Sequence, residues 1–132
     1  AMTEFLRTCP LAVRLPGDVV VCHTLPEQVD RHGFDTSILE KPLETSDFRE
    51  HGRVFEMVWG RDFRRENAAA FAKAISAKVL IHGHEPCPTG FEVPNDIQLI
   101  LDCCGDKATC LLLPTDRAYS HAEIVARVQK LN

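Results

Sequence analysis

Two histidines flank a glycine in His82-Gly83-His84, directly after the apolar run Val79 to Ile81. The run reads as a short buried strand. Pro86 and Pro88 forbid a continuing strand or helix, so the imidazoles stand at the mouth of that strand. A neutral imidazole offers a nitrogen lone pair to a metal, and the glycine lets the backbone turn tightly between the two rings. Metal ligation is the chemistry this stretch could do; plain polar surface is the alternative. A second segment, Asp18-Val19-Val20-Val21-Cys22-His23, has a similar design, a β-branched run ending in a histidine. From spacing alone His23 reads as a hydrogen-bonded histidine at a sheet edge. Arg61, after Trp59-Gly60, carries a planar guanidinium that matches two phosphate oxygens. Without further information it reads as a surface arginine or a partner of Asp62.

The elements that must position these residues follow from pattern. Thr3 to Arg7 ends a helix or lead-in before Pro10. Leu11 to Leu15 alternates as a strand, Pro16-Gly17-Asp18 turns, and Asp18 to Cys22 returns, which makes a hairpin ending at His23. Residues 24–52 are polar and irregular, with short turns expected at Ser37–Glu40 and Thr45–Glu50. His32 and His51 lie there among charges and read as solvent-exposed; Asp30-Arg31-His32 follows no apolar strand and is discounted as a metal motif. Val54 to Trp59 is a short apolar stretch, and the single tryptophan is expected in the core.

Asp62 could cap the next helix. Ala68, Phe71, Ala72 and Ile75 stand at i, i+3, i+4 and i+7, so 66–76 reads as an amphipathic helix leading into the Lys78–Ile81 strand. Pro86, Pro88, Gly90 and Pro94 make a rigid loop at the site mouth. Ile97–Cys103 and Ala108–Leu113, around Gly105-Asp106-Lys107, read as a second hairpin with buried faces. Ser120-His121-Ala122-Glu123 is a capping box opening a C-terminal helix to about Leu131, with His121 solvated in its first turn.

The 132 residues suffice for one domain, 1–132, with its own core. At 45% hydrophobic and 26% charged the chain is neither disordered nor fibrous. A net charge of −4 gives no general attraction to nucleic acid or to anionic membranes. No apolar run approaches the ~20 residues of a membrane helix, and the N-terminus has no signal-peptide core. None of the six cysteines forms a Cys-x-x-Cys pair, which argues against a structural zinc site. They read as small buried hydrophobes in a reducing, cytoplasmic compartment; adjacent Cys103 and Cys104 are not expected to pair easily with each other, and in a strand they point to opposite faces.

Taken together, Val79-Leu80-Ile81-His82-Gly83-His84-Glu85-Pro86, then Gly90-Phe91, then Ile100-Leu101-Asp102, resemble the C-terminal half of a calcineurin-like metallophosphoesterase, in the style of bacterial serine/threonine phosphoprotein phosphatases. Leu15-Pro16-Gly17 with Val19 to His23 is similar to the strand before that family's later metal-binding histidine. Met57-Val58-Trp59-Gly60-Arg61-Asp62 is similar to its tryptophan-centred segment. The resemblance runs from about Phe5 to Leu113, in the expected order. It implies an α/β (α+β) fold: part of a metallophosphoesterase β-sandwich, with two hairpins and a central strand flanked by helices. It implies His23 and His84 as ligands of a divalent metal (manganese, iron or zinc), Arg61 as the phosphate holder, and a phosphorylated substrate. His82 is not a dependable ligand position in that pattern.

The chain departs from the pattern in its missing first half. It has no Gly-Asn-His, and Gly17-Asp18 and Gly105-Asp106 lack a second aspartate at the family's spacing. The bridging carboxylate and the histidine acid are therefore not identifiable, and the metal site is incomplete. Ala1-Met2 reads either as a cloning remnant or as the start of a piece of something longer, and the resemblance favours the piece. Two functions follow as expectations. One is a half of a metal-dependent phosphoesterase, inactive without its N-terminal half. The other is a non-catalytic binding or oligomerisation module of the same ancestry. A half-fold is expected to leave apolar strand faces and edges uncovered, and so to self-associate or require the missing half. A third reading, a single-metal site of His23, His82 and His84, would have Glu85 as its only adjacent base.

Overall fold

The computed structural model describes residues 2–131. A first helix, α1 (Met2–Thr8), precedes strands β1 (Ala12–Leu15) and β2 (Val19–Cys22). These pair as the expected antiparallel hairpin, Ala12 opposite Cys22 and Leu15 opposite Val19. Gly17 makes the turn with φ 83°, and a Cβ there would meet Ala118 Cβ at 2.7 Å, so both conformation and space select glycine. The irregular connection holds a short α2 (Val29–His32) and 3-10 turns at Thr36–Leu39 and Thr45–Phe48. Two longer helices follow, α3 (Arg53–Trp59) and α4 (Arg65–Ala74), then β3 (Val79–His82), β4 (Phe91–Glu92), β5 (Gln98–Leu101) and β6 (Thr109–Leu111). The chain closes with α5 (His121–Val125) and β7 (Val128–Lys130).

The fold is mixed α/β, a five-stranded sheet in the order β1-β2-β3-β5-β4 and a two-stranded sheet of β6 and β7. The three central strands β2, β3 and β5 are parallel, and the outer two run antiparallel to their neighbours. Parallel strands covered on both faces read as continuous apolar runs, which explains Val-Val-Val-Cys and Val-Leu-Ile-His. Alternate side chains serve opposite layers. Val20, Cys22 and Leu80 pack with Met57, Ala68 and Phe71 on the helical face. Val19, Val79, Ile81 and Leu99 pack with Tyr119 and Ile124 on the other, where half-buried Leu111 and Val128 of the small sheet join them. Both faces of the large sheet are thus covered by the chain's own residues, contrary to the expected bare strand faces.

Several expectations need correction. The second hairpin does not form, because both edges of β5 are taken, one by β3 and the other by β4. The return strand β6 pairs instead with β7, Thr109 opposite Lys130 and Leu111 opposite Val128. That pairing also shortens the final helix: α5 stops at Val125, and the residues expected to continue it form β7. The capping box at its start does form, with Glu123 accepting from the Ser120 N–H at 2.8 Å. His121 is half buried rather than solvated and donates through Nε2 to the Gln98 carbonyl at 2.8 Å. Asp62 does not cap α4, whose N-cap is Arg64. Trp59 is 57% exposed at the end of α3. The cysteines divide: Cys22 and Cys87 are buried, whereas Cys9, Cys103 and Cys104 are exposed thiols. No helix among the described residues is long and apolar enough to cross a membrane.

Candidate metal-ligand pair and phosphate-binding arginine

The parallel register of β2 and β3 sets Val19 opposite Val79 and Val21 opposite Ile81. One step beyond the strands, the Gly83 N–H donates to the His23 carbonyl at 3.0 Å. His23 and His84 therefore leave adjacent strand ends together, at the carboxyl edge of the parallel strands where open α/β sheets commonly bind ligands. His23 Nε2 and His84 Nδ1 are 3.0 Å apart, and the ring centroids 4.9 Å. In the metal-free chain one nitrogen donates and the other accepts. Partial burial of the His23 ring, and then the neighbouring His84, hold its pKa below the ordinary 6.5, so His23 is neutral near pH 7 with a lone pair to give.

That spacing suits a shared ion. Both nitrogens are of the kind that ligates divalent metals, and His23 and His84 are the residues that would hold an ion here. Two further features mark His84. It adopts φ 72°, a left-handed conformation that strains a non-glycine residue by roughly 1 kcal/mol or more. Its other nitrogen, Nε2, is buried without a hydrogen-bond partner. Metal-bound histidines usually donate that second N–H to a carboxylate or carbonyl, so the pair fits an ion while lacking its outer support. Among the described residues no group of three or more His, Cys, Asp or Glu side chains is placed to hold a metal.

His82 belongs to the core. It is 3% exposed, and its Nε2 donates to Gln98 Oε1 at 3.1 Å. That role is forced because the Gln98 amide nitrogen is spent on the Phe63 carbonyl. Burial lowers the His82 pKa, so the ring stays neutral. The structure brings His23 and His84 together and turns His82 away to Gln98, which removes the geometric basis of a three-histidine site. His32 and His51 are exposed, as expected.

Arg61 stands beside this pair through a close approach of two segments. The Thr24 hydroxyl donates to the Gly60 carbonyl, and a Cβ on Gly60 would meet the Leu25 carbonyl oxygen at 1.9 Å. Glycine is therefore what lets Trp59-Gly60-Arg61 lie against the residues following His23. The Arg61 N–H donates to Glu27 Oε1 at 2.9 Å, and its guanidinium reaches Glu85 Oε2 at 3.3 Å. The guanidinium side is half exposed (51%) and its carboxylate partner much less so (16%), which leaves donors facing solvent. Glu85 Oε1 is buried and unpartnered.

Trp59 lies against the pair, its ring 5.5 Å from that of His84, with Phe55 one helical turn back at 6.1 Å. A cavity of about 360 Å³ opens beside Trp59, Phe55, His51, Glu27 and Glu56. Sequence reasoning missed this exposed aromatic face, since a lone tryptophan in an apolar run reads as core. It also missed Asn67, which is fully buried and ties three backbone groups: it donates to the Pro26 and Asp62 carbonyls and accepts from the Val29 N–H. The available signal was a polar residue four before Phe71, on the buried stripe of α4.

No model of a known protein family matches the chain, and no curated protein is similar enough to match it.

Proposed function

We propose that the chain is the histidine-bearing half of a metal-dependent phosphoesterase site, of the calcineurin-like kind its motifs resemble. The single observation that carries this reading is the 3.0 Å approach of two imidazole nitrogens at the carboxyl ends of adjacent parallel strands. His23 and His84 would hold one divalent ion, manganese, iron or zinc. When bound, such an ion supplies Lewis acidity and an activated water for phosphate-ester hydrolysis. The chain's own residues bind and orient. Arg61 takes a phosphate oxygen pair with the donors that face solvent, and its loose contact to Glu85 is exchanged for the more highly charged phosphate. Glu27 fixes the backbone of Arg61 meanwhile. The remaining ligands, the bridging carboxylate and the proton donor come from a complementary half. The substrate of this reading is a phosphorylated molecule, and the free thiols suit a reducing, cytoplasmic setting.

A second reading is a non-catalytic binding or oligomerisation module of the same ancestry. Taken alone, the chain supports this one better: two histidines are joined by no third donor among the described residues, and no family model matches. Both readings predict that the isolated chain does not turn over a phosphomonoester.

Metal content and p-nitrophenyl phosphate hydrolysis with added manganese separate them, with His23→Ala and His84→Ala alongside. The half-site predicts measurable metal binding that falls by about tenfold or more in either variant, without turnover until the complementary half is supplied. Metal binding indifferent to both substitutions would leave only the second reading. Turnover by the chain alone would contradict the need for a complementary half.

A further inference from the structure

Strand β5 ends at Leu101, so Cys103 and Cys104 are not on opposite faces of a strand. They lie in the bend before Gly105, and both are exposed. The Asp102 carboxylate, and then Cys103, raise the pKa of the Cys104 thiol above the ordinary 9.0. The residue before the pair is a fastening point. The carboxylate of Asp102 accepts the Cys87 N–H at Oδ2 and the Cys104 N–H at Oδ1, both at 2.8 Å. Its own N–H donates to the Gly90 carbonyl at 2.9 Å, and its carbonyl accepts from the Thr109 N–H at 3.0 Å. One residue thus joins the end of β5, the start of β6 and the loop that leaves His84.

We propose that Cys103 and Cys104 are a redox-reactive vicinal dithiol, and that closing it into a ring disulfide loosens the hold of Asp102 on the loop after His84. The oxidant is a low-molecular-weight disulfide such as oxidised glutathione. The Cys103 thiolate attacks one sulfur of that disulfide; a Cys103–glutathione bond forms, the glutathione S–S bond breaks, and the departing thiolate takes up a proton. Deprotonated Cys104 then attacks the Cys103 sulfur, forming the Cys103–Cys104 bond and expelling the second glutathione thiolate, which is protonated in turn. The dithiol loses two electrons and two protons, and the small disulfide is reduced to two thiols.

The ring so formed contains the Cys103–Cys104 peptide and bends it from its relaxed planar form. The nitrogen of that peptide is the one Asp102 Oδ1 holds, so ring closure acts directly on the fastening point. A strained, exposed disulfide is also easily reduced, which makes the change reversible. The buried thiols do not compete: burial pushes Cys22 up to about 12 and Cys87 up to about 11.

The full chain, treated with excess oxidised glutathione, is read by intact mass, by thiol alkylation after denaturation, and by amide exchange. Apart from a glutathione adduct on the exposed Cys9, the expected product is lighter by two hydrogens, with Cys103 and Cys104 joined to each other, and is restored by dithiothreitol. Exchange at the Cys87 amide rises about tenfold, the effect of losing one hydrogen bond to a charged group. Cys104→Ser keeps the N–H that Asp102 holds, and its Cys103 retains glutathione as a mixed disulfide. Stable glutathione adducts on the unsubstituted pair, a cross-link through Cys9, or a closed ring with unchanged Cys87 exchange would each overturn the proposal.

Discussion

Between His82 and His84 the chain leaves the sheet, and burial divides the two imidazoles: His82 is held by Gln98 in the core, and His84 faces His23 at the strand ends. The buried ring has a consequence for stability. Its pKa in the folded chain lies below the ordinary 6.5 because burial disfavours the charged form. Above about pH 6.5 both folded and unfolded chains carry a neutral His82, and stability is full. As pH falls below that value the unfolded chain takes up a proton that the folded chain refuses, and stability declines until the folded pKa is passed. His23, shifted the same way, adds to the slope. The urea midpoint of the metal-free chain is therefore expected to fall between about pH 7 and about pH 5. His82→Gln, which can still donate to Gln98, is expected to flatten that fall; an unchanged slope in the variant would contradict the assignment.

At the scale of elements, the site depends on how closely the end of α3 approaches the segment after β2. Gly60 permits that contact through space alone, since its backbone angles are ordinary (φ −63°) and only the Leu25 carbonyl forbids a Cβ. Gly60→Ala is expected to destabilise by about 3 kcal/mol, at the upper end for overpacking, because the blocking atom is backbone. Gly33→Ala has open space, but φ 76° and ψ −176° lie in a region essentially reserved for glycine, so it is expected to lose about 2 kcal/mol from backbone strain alone. Urea unfolding of both variants checks the ordering, and equal losses would contradict it. The β1–β2 hairpin, α4 and β3 were legible in the sequence because each is specified locally, by a Pro-Gly-Asp turn, a 3.6-residue apolar period and a β-branched run. The partner of β6 was not, because adjacency favours a hairpin with β5, and only the sheet order reveals that β4 already occupies that edge. The exposure of Trp59 was hidden for a related reason: the apolar run of α3 does not say which of its residues face the core.

For the molecule as a whole, the juxtaposition that matters spans 61 positions, from His23 to His84. It arises from the parallel pairing of β2 and β3 and cannot be derived from either motif alone. The motifs' resemblance pointed to the same two residues and to Arg61; their geometry follows from the register. With both faces of the large sheet covered, exposed apolar surface lies instead on α1 residues such as Phe5 and Leu6. The central claim is that His23 and His84 share one divalent ion. Titration with manganese, followed by nuclear magnetic resonance of the imidazole signals, tests it most directly, because the paramagnetic ion broadens nuclei close to it. The account predicts that the His23 and His84 signals, with that of neighbouring His82, are lost at lower manganese than those of exposed His32 and His51, and that this order disappears in His23→Ala. Broadening first at His32 or His51, or none at His23 and His84, would contradict it.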